Sequence, residues 1–194
     1  MTEYLISLTP TLWRTCRAVA NIQRLRLFQS MIDQPPQAMG KIALKCKIPE
    51  AICSLYLRHL NARGLCLATR QSRWVFYQLK ADPKVRHSEI IMQTLISTLR
   101  NADESVYEHV FRDVTAFTHP RRITIVQVLK KYGKAQTPVL CKHCEMSSRA
   151  MERQLDKLAR RGFVEQKGEF FCLASPSSPL AKTLVKIATE SDTP

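Results

Sequence analysis

The sequence predicts a mostly α protein with small β-hairpins, an α+β chain in which one structural unit occurs twice. Three observations carry this expectation. The chain aligns on itself at a separation of 98 residues. Each copy shows apolar residues at i, i+4, i+7 spacing that stop at a glycine, the pattern of a buried helix face with a C-terminal cap. Each glycine is followed by two short strand-like runs around a turn. At ~100–200 residues per domain, 194 residues allow one large or two small domains.

The repeat pairs Arg24 with Arg122, Gln29 with Gln127, Cys46 with Cys144, Leu57 with Leu155, Leu60 with Leu158, Arg63 with Arg161 and Gly64 with Gly162, without a gap. The apolar pattern follows: Leu27 meets Ile125, Met31 meets Leu129, Ile42 meets Leu140 and Leu65 meets Phe163. After the glycine the separation falls to 94, so the second hairpin has lost four residues.

The elements follow in order. Thr9-Pro10 reads as a cap with Pro at the first helical position, and Leu12, Cys16 and Val19 mark one helical face. In the second copy Asp103 is the cap, and Val106, Val110, Val114 and Phe117 form the stripe. A second helix carries Leu27, Phe28 and Met31, or Ile125, Val126 and Leu129, ended by Pro35-Pro36 or Gly133. A short third helix carries Ile42 and Cys46, or Leu140 and Cys144. A fourth carries Cys53, Leu57 and Leu60, or Met151, Leu155 and Leu158. Strands are expected at 65–70 and 73–79 around Gln71-Ser72, and at 163–166 and 169–173 around Lys167-Gly168. Two further helices are expected, near 83–100 with Ile90, Ile91, Leu95 and Leu99 on one side, and near 178–190 with Leu180, Leu184, Val185 and Ile187.

Helices followed by a two-stranded hairpin, found twice, make two winged helix-turn-helix domains in tandem. The expected division is a first unit at 1–82, a linking helix at 83–101 and a second unit at 102–194. The apolar stripes near 10–20, 83–100, 104–117 and 178–190 need a partner surface. Packed on one another, they would make the single chain a pseudo-dimer.

Composition narrows the function. The 30 Lys and Arg against 16 Asp and Glu leave +14, divided as +8, +2 and +4 over 1–82, 83–101 and 102–194. Such an excess points to a polyanion, nucleic acid above all. No apolar run reaches the ~18 residues of a membrane helix. The opening MTEYLISLTP lacks a basic n-region and argues against a signal peptide. Seven scattered cysteines suit free thiols in a reducing cytoplasm. The chain has no GxSxG, no phosphate loop and no dinucleotide fingerprint, so neither an enzyme nor a cofactor is expected.

The segments ANIQRLRLFQSMI (20–32) and THPRRITIVQVL (118–129), YLRHLNARGLC (56–66) and QLDKLARRGFV (154–164), and RWVFYQLKAD (73–82) carry a resemblance. They resemble the second helix, the recognition helix entering the wing, and the returning wing strand of the arsenic-repressor class (ArsR-like) of bacterial transcriptional regulators. The Leu-x-x-Leu-x-x-x-Gly spacing is shared with winged helices of the multiple-antibiotic-resistance type. The resemblance implies a double-stranded DNA reader, with first and last helices at a dimer interface. Metal-sensing members carry Cys-x-Cys at the start of the third helix. Ala38 and Gly40, or Gln136 and Pro138, stand there, so that role is not implied.

The two recognition helices differ. In the second, Ser147 is the expected cap, and Ser148, Arg149, Glu152, Arg153 and Lys157 lie off the apolar face. An Arg early in such a helix can fork onto guanine. In the first, Ala51 replaces Arg149 and Leu55 replaces Arg153, while Ser54 and Arg58 remain on the outer face. Lys45, Lys47, Arg70 and Arg73 around it, and Lys167 on the second hairpin, suit phosphates. Cys141-Lys142-His143-Cys144 is half a zinc site with no second pair, and small inward thiols explain it as well. The sequence therefore predicts a DNA-binding transcriptional regulator. The alternative is a tandem winged-helix protein-interaction module in a larger complex. Self-association through the terminal and linking helices is compatible with either, and no effector is identified.

Overall fold

A computed structural model describes residues 11–190 of the chain. The first helix, α1 (Leu12–Val19), follows an extended Thr11; the Thr9-Pro10 cap lies outside the described residues. Asn21 starts α2 (Ile22–Ser30) by accepting the Arg24 N–H at 2.9 Å. This helix ends well before Pro35-Pro36, because the chain already turns through Asp33 at φ 57°. Then come β1 (Gln37–Ala38), α3 (Met39–Cys46), α4 (Glu50–Asn61), β2 (Leu67–Gln71), β3 (Trp74–Gln78) and α5 (Ser88–Leu99).

The second half has α6 (Glu104–Ala116), α7 (Pro120–Tyr132), β4 (Lys134–Ala135), α8 (Thr137–His143), α9 (Ser148–Ala159), β5 (Val164–Lys167), β6 (Phe170–Leu173) and α10 (Pro179–Glu190). Asp103 caps α6 through the Ser105 and Val106 amides, as expected. The structure is thus α+β, with ten helices and two antiparallel three-stranded sheets among the described residues.

The internal repeat is visible in the register. α4 and α9 lie 98 residues apart end to end. Gln37 opposite Tyr77 corresponds to Ala135 opposite Phe171, displacements of 98 and 94. Two pairs at the tip of the first hairpin, Arg70 with Val75 and Gln71 with Trp74, have no counterpart in the second, and these are the four missing residues.

Several expectations are corrected. The short strands β1 and β4 were not anticipated; each pairs with the returning hairpin strand, giving orders β1-β3-β2 and β4-β6-β5. The outgoing strands start later than 65 and 163. Leu65 and Phe163 first close their helices, donating to the Leu60 and Leu158 carbonyls at 3.1 and 3.0 Å. The turns fall one residue later, at Ser72-Arg73 and Gly168-Glu169, with positive φ at Ser72 and Gly168. The helix expected from 83 starts at Ser88, because Asp82 organises the preceding turn: its side chain accepts the Lys84 N–H at 2.9 Å and its carbonyl the Ser88 hydroxyl at 2.8 Å. Ile90 is exposed, and Met92 joins Ile91, Leu95 and Leu99 on the buried side. Ile90 stands about 100° around the helix from Ile91, on the side away from Met92 and Leu95. On α10 Val185 is only half-buried, whereas Leu180, Leu184 and Ile187 are buried.

One hydrophobic cluster runs through both halves. Within it α1 packs on α6, and α10 packs on α5, α6 and α7. Phe117 and Phe163 meet edge to face at 4.9 Å. Gln29 ties α2 to the start of the second half, donating to the Leu99 carbonyl at 2.8 Å and accepting from the Tyr107 hydroxyl. Ser178 donates to the buried Asp113 carboxylate at 2.6 Å and accepts the Ala181 N–H at 2.9 Å, which pins the start of α10. Among the described residues no helix is long and apolar enough to cross a membrane.

Candidate nucleic-acid interface

The outward surface of α9 is polar. Met151, Gln154, Leu155 and Leu158 turn inward, which aims every third or fourth intervening residue at solvent. Ser148, Arg149, Glu152, Arg153 and Lys157 are all exposed, as the periodicity predicted. Arg149, Arg153 and Lys157 recur every four residues, so consecutive cations stand about one turn apart along the axis. Among the described residues none of the three is paired with a carboxylate. The nearest ion pair on the helix joins Arg160 to Asp156 at 2.8 Å. Ser147 occupies the N-cap position with extended backbone, but its hydroxyl makes no capping bond. It is exposed and leaves the first helical amides open.

The flanking hairpin β5–β6 places Lys167 at its tip, where it pairs with Glu165 at 2.7 Å. That pairing neutralises the cation nominated for phosphate, and it raises the Lys167 ammonium's pKa while lowering that of the Glu165 carboxyl.

In the first half the outer face of α4 is different. Arg58 is exposed, its Nε 3.4 Å from the Ser54 carbonyl, and Ser54 itself is half-buried. Leu55 stands 39% exposed and Ile52 37%, with Leu44 of α3 at 81%. Of these, Leu55 stands where α9 has Arg153, Ile52 where it has Ala150, and Leu44 where α8 has Lys142. The longer hairpin β2–β3 presents Arg70, whose Nε donates to the Ser72 carbonyl at 3.2 Å, and Arg73, whose guanidinium stacks 5.4 Å from the exposed Trp74 ring. Both remain available at the hairpin tip.

Lys45 and Lys47 do not join that hairpin. They line a cleft of about 560 Å³ with Arg26, Gln29 and Tyr107, between α2, the end of α3 and α6. The Lys45 ammonium donates to the Ser30 carbonyl at 2.7 Å. Sequence reasoning missed this cleft because its walls are some sixty residues apart in the chain.

The arginine of the second-helix segment turns inward in both halves. Arg122 is buried, and donates to the Ala116 carbonyl at 2.6 Å, the Thr115 carbonyl at 2.9 Å, the Thr118 hydroxyl at 2.7 Å and the Gln154 side chain at 3.2 Å. Arg24 is equally buried, bonds the Ala18 carbonyl and lies 5.0 Å from the Tyr56 ring. A cation at the C-terminal carbonyls of the preceding helix is favoured by the helix dipole.

Burial makes Cys16, Cys53, Cys66 and Cys144 poor nucleophiles. Burial pushes Cys53 up to about 11, Cys66 up to about 12 and Cys144 up to about 11, and it raises Cys16 further still. At neutral pH these thiols keep their protons. The expectation of core cysteines holds for Cys16, Cys53 and Cys66; Cys46, Cys141, Cys144 and Cys172 are only half-buried. Among the described residues no three His, Cys, Asp or Glu side chains are grouped to hold a metal ion. No protein-family model matches the chain, and no curated protein matches it either.

Proposed function

We propose that the chain is a cytoplasmic, sequence-specific double-stranded DNA-binding transcriptional regulator. In this reading each half is a winged helix-turn-helix unit of the arsenic-repressor kind, α4 and α9 are the recognition helices, and the two hairpins are the wings. The observation that carries the reading is the unpaired row Arg149, Arg153 and Lys157 on an exposed helix face, in a chain of net charge +14. Arg149 and Arg153 read bases, since a bidentate Arg–guanine contact discriminates by ~1–3 kcal/mol. Arg70 and Arg73 hold phosphates, which carry affinity without sequence information.

A competition titration of variants against a selected site and random duplex, at two salt concentrations, tests the division. Arg149→Ala is expected to lower discrimination while leaving random-duplex binding nearly intact. Arg73→Ala is expected to weaken all duplexes alike and to reduce the log–log salt slope by about one unit. Identical behaviour of the two variants would refute the assignment.

A second reading is favoured by one observation. Leu44, Ile52 and Leu55 are exposed on the outer face of α3 and α4. An apolar face there suits a tandem winged-helix protein-interaction module in a larger complex. Flat, salt-independent behaviour toward duplex DNA would select it.

A further inference from the structure

A second basic feature lies away from the α9 row. A cleft of about 320 Å³ between α1, the start of α2 and the end of α4 is lined by Arg14, Arg17, Arg24, His59 and Arg63; its remaining lining residues are Ala18 and Ala62. Among the described residues no carboxylate lines it, and Arg14, Arg17 and Arg63 have no ion pair. Arg14 and Arg17 lean on the Trp13 ring, at 5.2 and 5.6 Å. Arg24 is 9% exposed, and its buried Nε–H has no hydrogen-bond partner. Leaving such a donor unsatisfied is costly.

The second half shows how the same backbone is satisfied internally. There Thr115 stands in place of Arg17, Thr118 in place of Ala20, and Gln154 in place of Tyr56. Thr115 accepts from Arg161 Nε at 2.9 Å, and Thr118 and Gln154 accept from Arg122. The first half lacks all three acceptors and has a further guanidinium instead. Burial lowers the pKa of His59, and Arg24, Arg63 and Arg58 lower it further.

We propose that this cleft binds a phosphate-class oxyanion, with Arg14, Arg17 and Arg63 around it and Arg24 behind. Guanidinium forks match phosphoryl oxygens in geometry and charge. The volume suits a small phosphorylated molecule, and a duplex backbone phosphate presents the same chemistry. The site does not depend on the DNA reading.

The test is calorimetric titration of the full chain with inorganic pyrophosphate at constant ionic strength. One saturable site is expected. Arg63→Gln is expected to weaken it about ten-fold or more. Arg17→Thr installs the acceptor that the second half already has, and is expected to do the same without loss of fold. Arg149→Ala is expected to leave it unchanged. Repeating the titration on duplex-saturated protein separates the sources: unchanged binding identifies a free small anion, and mutual exclusion identifies a backbone phosphate. A chain that binds pyrophosphate but no duplex supports the cleft and overturns the DNA reading. No saturable binding, or binding by Arg17→Thr and Arg63→Gln as tight as that of the unsubstituted chain, overturns the proposal.

Discussion

Arg24 and Arg122 occupy the same place in the repeat and differ in what they find there. Arg122 donates four hydrogen bonds from a buried position, whereas Arg24 has one carbonyl and the face of Tyr56. A hydrogen bond to a charged group contributes ~1.5–3 kcal/mol, and a buried acceptor left without a donor carries its own cost. Arg122→Ala is therefore expected to destabilise by about 3 kcal/mol in urea denaturation. Arg24→Ala is expected to cost about 1–2 kcal/mol less, because it orphans fewer acceptors. Equal losses would mean that packing of the alkyl stem, common to both, dominates over the bonds.

At the scale of elements, α4 and α9 are the same helix built twice, with different surroundings at their ends. Each is followed by a glycine in the left-handed region, Gly64 at φ 66° and Gly162 at φ 79°. A non-glycine residue there costs ~1–2 kcal/mol. A Cβ at Gly162 would meet open space. At Gly64 it would stand 2.8 Å from the Val85 Cβ and 3.1 Å from the Ser88 Cβ, because the turn leading into α5 packs against it. Gly162→Ala is thus expected to cost about 1 kcal/mol and Gly64→Ala about 3, adding overpacking to the backbone strain. Thermal melts of the two variants decide this, and a Gly64→Ala loss no larger than that of Gly162→Ala would show that the turn yields.

At the scale of the molecule, the two halves share a core. Leu184 of α10 is buried where that helix packs on α5, α6 and α7. Both tryptophans, Trp13 and Trp74, lie in the first half. Leu184→Ala removes a buried side chain and is expected to cost ~2–5 kcal/mol. If the halves unfold as one unit, the midpoint read by tryptophan fluorescence drops as far as that read by circular dichroism. An unchanged fluorescence midpoint would show that the first half folds alone.

Hydrophobic periodicity by itself determined the identity and inward faces of most helices, the glycine stops and the doubling of the unit. It also determined which side of α9 faces water, because a side chain's direction on a regular helix depends only on its position. Tertiary structure decided what local pattern cannot encode. Strands β1 and β4 are two residues long and exist only because β3 and β6, some forty residues on, offer free edges. Ile90 is as apolar as Ile91, yet the packed side of α5 takes in Ile91 with Met92 and Leu95 and leaves Ile90 exposed. Lys45 and Lys167 look like free cations in the sequence, but distant folding brings Ser30 to one and hairpin pairing brings Glu165 to the other. The arginines of the first-half cleft come from α1, α2 and the turn after α4, and their charges act together because close packing brings those segments to one place with no carboxylate between them among the described residues.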